Sequence, residues 1–294
     1  MKVQVTGAGG FIGRAVVDAL RANGHDCDAP GLDGPRVDVT DRAALDRWFG
    51  DRAADVLVHL AWYSGNDRIT SPENAAWLAH TARLLDAFVA AGGQRIVTVG
   101  TCLEYGLGES PLTEDLTPIR PHTAYGRAKA DVAALGSRLS AATGVSAVHA
   151  RVGYVYGPGE KEPRVVPALV HALAKGERFP STSGAQRRDY LFVDDVGRAI
   201  ALLAEHDIEG AVNVGSGRAI AVADLIGAFA EEIGATDLLD LGALPQREGD
   251  PEIIELSIRR LTELGWSAEV DLREGVRRTV RSMRPRRPDE TTPT

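Results

Sequence analysis

Met1-Lys2-Val3-Gln4-Val5-Thr6-Gly7-Ala8-Gly9-Gly10-Phe11-Ile12-Gly13 opens the chain and decides how the rest is read. Lys2 to Thr6 alternates in polarity and runs into a glycine turn, the pattern of a buried strand. Phe11 to Asn23 follows with Ile12, Val16 and Leu20 on one helical face, and Gly24 stands where a helix stops. Gly7, Gly10 and Gly13 therefore fall between a strand and a helix. Glycine there lets the chain turn tightly and lets backbone approach a pyrophosphate, while the helix N-terminus offers unpaired N–H groups and the positive end of its dipole. Directly after an N-terminal strand, this spacing favours a dinucleotide over a purely structural turn.

Outward from the loop, the rhythm continues. A short strand is expected at 26–30, a helix at 41–49, and a strand at Asp55–Ala61, whose nearly continuous apolar run suits a strand covered on both faces. A helix at 72–91, a strand at 95–100, a helix at 124–142 and a strand at 146–152 complete the series. Strand alternating with helix predicts an α/β fold, a doubly wound parallel sheet with right-handed crossovers. After Gly157-Pro158-Gly159 the alternation breaks, and a smaller α+β region is expected. Its helices fall at 166–175, 194–204, 222–233 and 272–281, its short strands at 190–193 and 211–214.

An acidic residue closing the second strand would select NAD through its ribose hydroxyls. That place falls near Gly31, with Asp28 slightly early and Asp33 slightly late. Arg14 and Arg36 stand nearby, either as partners for a 2′-phosphate or as solvated arginines, and the balance leans to NADPH over NADH. Asp38-Val39 is read as lying on a third strand, facing the adenine.

Composition bounds the rest. Of 294 residues 44% are hydrophobic and 25% charged, enough for a large core and against wholesale disorder. A net charge of −8 argues against nucleic acid as a partner. No apolar run reaches transmembrane length, and the two cysteines, Cys27 and Cys102, form neither a disulfide framework nor a metal cluster. A cytoplasmic protein with no metal and no membrane partner is expected.

Lysine occurs only at positions 2, 129, 161 and 175, so 29 of the 33 basic residues are arginine. Lys129 therefore draws notice. It lies four residues after Tyr125 on a helix, which puts ammonium and phenol on one face. An ammonium beside a phenol is expected to lower the phenol pKa toward working pH and suit it to proton transfer at an alcohol–ketone pair. Thr101 falls just past an apolar strand, at the carboxyl end of the sheet where ligands bind, and its hydroxyl could donate to a carbonyl.

Thr6–Gly13, Asp55–Ala61, Thr101-Cys102-Leu103-Glu104-Tyr105-Gly106, Tyr125–Lys129, Tyr156-Gly157-Pro158-Gly159 and Arg187–Asp195 occur in the order expected of the extended short-chain dehydrogenase/reductase family, of the NAD-dependent epimerase/dehydratase type. The chain resembles that family up to about Leu264-Gly265-Trp266. The resemblance implies a Rossmann-type sheet with a smaller C-terminal substrate-binding domain, and a nucleotide-sugar substrate gripped at its diphosphate by the C-terminal half. Its implied boundaries are 1–155 for the dinucleotide half, with part of 186–215 returning to it, and 156–284 for the substrate half. The polar, Pro-rich end, 285–294, is expected to be disordered. By the same resemblance Thr101, Tyr125 and Lys129 are the catalytic set, and Arg188 and Arg247 clamp the phosphates. Cys102, Tyr154 and Arg164 line the substrate side. Leu60, Ala61 and Trp62 join Gly7, Gly10, Phe11, Ile12, Gly13, Tyr125 and Lys129 along the cofactor. A homodimer is the expected assembly.

Departures narrow the reaction. Sugar-nucleotide 4,6-dehydratases resemble one another in placing Asp-Glu right after the catalytic Thr, where this chain has Cys102-Leu103, so elimination of water is not expected. The epimerase-reductase that makes GDP-fucose carries a cysteine two after its Ser. Leu103 stands there instead, and Cys102, one residue off, is read as packing. Tyr154 stands where several relatives carry Asn, and Trp77 replaces a helix Asn. Gly31 with its short loop to Asp38 resembles the sugar-nucleotide 4-ketoreductases, which use either nicotinamide cofactor. The first expectation is reduction of the C4 ketone of a nucleotide-activated, dTDP-linked 4-keto-6-deoxyhexose. The alternatives are a nucleotide-sugar 4-epimerase that keeps NAD bound and a non-catalytic dinucleotide-sensing protein. His59 is read as a satisfied core histidine. His122 either lines the site or is bland; Trp62 and Tyr63 either wall the nicotinamide or cover the sheet edge.

Overall fold

The computed structural model of the protein describes residues 1–50, 54–106 and 110–283; the tail expected at 285–294 lies outside them. Six strands make one parallel sheet. They are β1 (Lys2–Thr6), β2 (Asp26–Asp28), β3 (Val56–His59), β4 (Arg95–Thr101), β5 (Ser146–Val152) and, after a long excursion, β9 (Gly210–Val214). Their order is β2-β1-β3-β4-β5-β9. The order reverses direction at β1, so the carboxyl ends of β1 and β3 open a crevice there.

Both faces of the sheet are buried, as the continuous apolar strands require. Along β3, Val56 and Val58 point into one core and Leu57 into the other; along β4, Val97 and Val99 oppose Ile96 in the same way. The first face is covered by α1 (Phe11–Ala22) and α6 (Val193–Glu205), which pack on each other. Gly197 allows this approach, because a Cβ there would stand 2.4 Å from the Ala15 carbonyl oxygen. The second face is covered by α2 (Arg42–Gly50), α3 (Glu73–Ala90) and α4 (Ala124–Thr143), with Leu45, Phe49, Leu84, Leu85 and Phe88 as its centre.

A smaller mixed sheet stands beyond the carboxyl end of β5. Its spine is β8 (Arg187–Phe192), flanked by parallel β6 (Tyr154–Tyr156) and β12 (Ile253–Ile254) and by antiparallel β10 (Ala219–Ala221). A two-stranded parallel pair, β7 (Phe179–Ser181) with β11 (Leu239–Leu241), lies apart. Helices α5 (Val165–Ala174), α7 (Val222–Ile233) and α9 (Leu272–Met283) pack together, and the short α8 (Arg259–Thr262) leans on β9. Leu169, Leu225, Phe229, Trp266 and Val276 belong to the same core as β1, α1 and α6, so the two halves share one interior.

Three expectations are corrected here. No strand forms at Asp38-Val39. Asp38 instead accepts from the amide and hydroxyl of Thr40, at 2.9 and 2.7 Å, a local turn that competes with a ladder. The second strand also stops at Asp28. Pro30 has no N–H to give, and Gly31 turns the chain at φ +86°. The strand expected at 190–193 starts earlier, at Arg187, and yields to α6 at Val193.

Candidate active site

The glycine loop is built to hold something close to its backbone. Gly7 sits at φ +71°, and a Cβ there would lie 2.7 Å from the Ala61 amide nitrogen; at Gly13 it would lie 2.1 Å from the Gly7 carbonyl oxygen. Gly10 ends the turn with its N–H on the Gly7 carbonyl at 2.9 Å, and no side chain caps α1 behind it. Thr6 locks this loop to the end of β3. Its hydroxyl accepts the amides of Leu60 and Ala61, each at 3.2 Å, and meets His59 Nδ1 at 2.7 Å. His59 Nε2 meets Thr81 at 2.9 Å, and burial pushes its pKa down to about 3, so it is the satisfied core histidine expected. An uncapped helix start above three glycines fits a dinucleotide pyrophosphate. Leu60 packs toward the core, Phe11 approaches Gly159, and Ile12 packs inward from the loop.

Beside the glycine loop, Arg14 donates from Nε to the Gly9 carbonyl at 3.3 Å. The Arg36 side chain lies against Gly31, at 3.0 Å from where a Cβ would stand. Asp28 accepts from the Trp48 indole N–H at 2.8 Å and from Gln4 at 3.4 Å. The carboxylate nearest the end of β2 is thus tied toward α2. Asp38 is exposed, and Val39 packs under α2 and α3.

Thr101, Tyr125 and Lys129 are brought together by α4 seating on the turn after β4. Thr123 caps α4 by accepting the Gly126 N–H at 2.9 Å. Gly126, between Tyr125 and Arg127, is where α4 touches the turn Cys102–Glu104: a Cβ there would lie 2.3 Å from the Leu103 carbonyl oxygen. The Tyr125 amide donates to the Ile69 carbonyl at 3.2 Å, tying the start of α4 to the segment that carries Arg68. Lys129 is 3% exposed, donates to the Val99 carbonyl at 2.8 Å, and lies 3.8 Å from the Trp62 ring centroid and 5.9 Å from that of Tyr125. Trp62 is fixed by its indole N–H on Asn74 at 2.9 Å.

The electrostatics differ from the expectation that Lys129 pulls the Tyr125 pKa down. Burial pushes Tyr125 up to about 12; the cations that oppose this are Arg68 and Arg164. Burial also pushes Lys129 down to about 7, against the pull of Glu104. In the folded chain Lys129 donates a hydrogen bond to the Val99 carbonyl, two residues before Thr101, and the charge that opposes burial at the phenol comes from arginines.

On the substrate side, Tyr154 and Tyr190 stack edge-on at 5.6 Å, and the Arg188 guanidinium covers Tyr154 at 5.7 Å. Arg188 is buried and paired with Asp250 at 2.6 Å. Arg247 is exposed, and its carbonyl accepts the Asp250 amide at 3.2 Å. Arg164 meets Glu160 at 3.4 Å; burial pushes that carboxyl up to about 7. Cys102 is buried among Tyr105, Leu112, Ile254 and Leu256, and burial pushes its thiol up to about 12. His122 is exposed, and Tyr63 donates to Asp67 at 2.8 Å. Arg68 and Glu160 had no signal in the sequence, because nothing local to them predicts which loops meet. Glu104 did have one, the Thr-x-x-Glu spacing of a capping box.

Comparison with known proteins identifies the family. The sequence model of the NAD dependent epimerase/dehydratase family matches residues 3–215. A dTDP-glucose 4,6-dehydratase of Streptomyces griseus is 30% identical, covering 94% of this chain and 92% of its own. The structure of UDP-glucose 4-epimerase from Thermotoga maritima with UDP-glucose superposes with a TM-score of 0.85 at 26% identity, over 96% of this chain and 98% of that one. UDP-glucose 4-epimerase from Thermus thermophilus in complex with NAD gives 0.83 at 28%, over the same shares. Among the described residues, no helix is long and apolar enough to cross a membrane.

Proposed function

The chain belongs to the NAD dependent epimerase/dehydratase family, and we propose that within it the protein reduces the C4 ketone of a dTDP-linked 4-keto-6-deoxyhexose, working as a homodimer. One observation carries the choice of reaction. Thr101, Tyr125 and Lys129 converge, yet the two side chains that follow Thr101 are a buried thiol in an apolar cluster and a leucine. Neither can exchange protons to expel water, so elimination lacks its acid and base, which supports reduction instead.

Gly7, Gly10 and Gly13, with the start of α1, would hold the dinucleotide pyrophosphate, and Leu60, Ala61 and Trp62 would flank its nicotinamide end. When bound, the reduced nicotinamide supplies hydride to C4. Thr101 Oγ1 and the Tyr125 hydroxyl donate to the ketone oxygen, and Tyr125 transfers its proton as negative charge builds there. With the dinucleotide bound, Lys129 would hold the nicotinamide ribose. Arg188, with Arg247 on the same turn as Asp250, meets the diphosphate with forked contacts, and Tyr154 lies beneath. Residues 156–284 thus mainly bind the sugar nucleotide. NADPH is preferred to NADH because Arg14 and Arg36 flank the adenosine side while Asp28 is tied to Trp48.

A panel of 4-keto nucleotide sugars with NADPH and with NADH, followed by product NMR, tests this reading. Oxidation of cofactor matched by a C4 alcohol is expected. Interconversion of UDP-hexoses at C4 with bound NAD and no net cofactor use would instead assign an epimerase. Tight NADPH binding with no turnover of any sugar would assign a sensor.

A further inference from the structure

Thr101 leaves β4 in extended backbone, and the next three residues wind back as a short 3-10 turn. Glu104 closes it as a capping box. Its Oε1 accepts the Thr101 N–H at 2.8 Å, and Thr101 Oγ1 accepts the Leu103 N–H at 3.3 Å. The Glu104 side chain is 0% exposed. His149 Nε2 meets Oε1 at 3.0 Å, and Arg151 Nε donates to Oε2 at 2.9 Å. Beyond them, His149 Nδ1 meets Thr98 at 2.7 Å and Arg151 reaches the Tyr105 hydroxyl at 3.1 Å. Gly100 makes the room: a Cβ there would stand 2.1 Å from both Glu104 Oε1 and His149 Nε2.

A 3-10 turn needs no charge to close it, and a buried carboxylate is costly unless something answers it. Lys129 donates to the Val99 carbonyl and Glu104 Oε1 takes the amide of Thr101, two residues along the same strand; Tyr125 from α4, the Trp62 ring and His59 from β3 complete the surroundings of the ammonium. His59 stays neutral, and Arg68 and Arg164 face Tyr125 rather than the ammonium. Glu104 is the anion in that set. Burial works against its ionisation, yet His149, Arg151 and the Thr101 amide hold it below the ordinary carboxylate range.

We propose that Glu104 is a positioning residue of the reaction centre: one fixed carboxylate sets the Thr101 turn through its amide and serves as the counter-charge that keeps Lys129 an ammonium. The inference rests on the catalytic reading of Thr101 and Lys129. Its geometry is independent of which sugar is reduced.

The test uses the scarcity of lysine. With 13Cε-labelled lysine the protein gives four side-chain signals, and Lys129 is assigned by the one missing from Lys129→Met. Glu104→Gln keeps an acceptor for the Thr101 amide and removes the charge. The Lys129 titration midpoint is expected to fall by about one pH unit in this variant, and Glu104→Asp to restore it at least in part. An unchanged midpoint in folded Glu104→Gln overturns the proposal and leaves Glu104 a structural cap. Should Glu104→Gln fail to fold, Glu104→Asp, whose carboxylate sits one methylene farther back, is read against wild type: a lower Lys129 midpoint is expected, and an unchanged one overturns the proposal equally. No sugar enters the titration, so absence of ketone reduction would count against the proposed function without touching this result.

Discussion

The Lys129 ammonium is held between the Val99 carbonyl, 2.8 Å away, and the face of the Trp62 indole, 3.8 Å from its centroid. A cation this deeply buried is held at a cost to the fold. Its pKa, about 7 in the folded chain against 10.5 unperturbed, fixes the sign. The unfolded chain keeps the proton between those values and the folded one releases it. Stability linked to this group is therefore fullest above 10.5 and is lost as pH falls toward 7. Lys129→Met keeps most of the stem and removes the charge. Urea unfolding should find it more stable than wild type at pH 6, by on the order of a few kcal/mol at most, with the difference shrinking as pH climbs toward 10. A variant less stable at every pH would show that the ammonium is not strained.

Tyr125→Phe removes the proton donor and leaves the ring and α4 in place. General acid catalysis is worth roughly 10²–10⁴-fold, so kcat should fall by about that factor with NADPH affinity nearly unchanged. Near-wild-type kcat, under conditions where chemistry limits the rate, would remove Tyr125 from the mechanism.

Two glycines of the first loop should respond differently. A Cβ at Gly13 would lie 2.1 Å from the Gly7 carbonyl oxygen, whereas at Gly10 the nearest atom is 3.0 Å away and φ is −77°. Gly13→Ala should destabilise the fold by about 1–3 kcal/mol through overpacking. Gly10→Ala should keep nearly its full melting temperature yet bind NADPH more weakly by calorimetry. Equal losses of stability in both would place the crowding elsewhere.

Arg36 lies along Gly31 on the adenosine side. Arg36→Ala should weaken NADPH binding by roughly tenfold, the scale of one charge-assisted contact, and leave NADH binding unchanged. The NADPH deficit should also shrink at high salt. Equal effects on both cofactors would assign Arg36 a purely structural part.

Much of this was legible in the sequence because it is local. The glycine spacing named the first turn, and the nearly continuous apolar runs named strands that are covered on both faces. Lys129 stood out in a chain that otherwise uses arginine. The strand expected at Asp38-Val39 was not there, because Thr40 offered Asp38 a closer partner than a neighbouring strand could. The pKa logic of Tyr125 and Lys129 was also misread. A helical spacing places two side chains on one face, but their charges are set by burial and by Arg68, Arg164 and Glu104, which reach the site from other segments. Glu104 could have been found: Thr-x-x-Glu is a capping signature, and Gly100 inside a strand marks close approach.

Deuterium tracing tests the proposed reaction most directly. With NADPH carrying deuterium at the transferable position of its nicotinamide and a dTDP-4-keto-6-deoxyhexose as substrate, NMR of the product should show one deuterium at C4 for each NADPH oxidised. A C4 that carries only protium, with interconversion of UDP-hexoses and no net cofactor oxidation, would contradict the account.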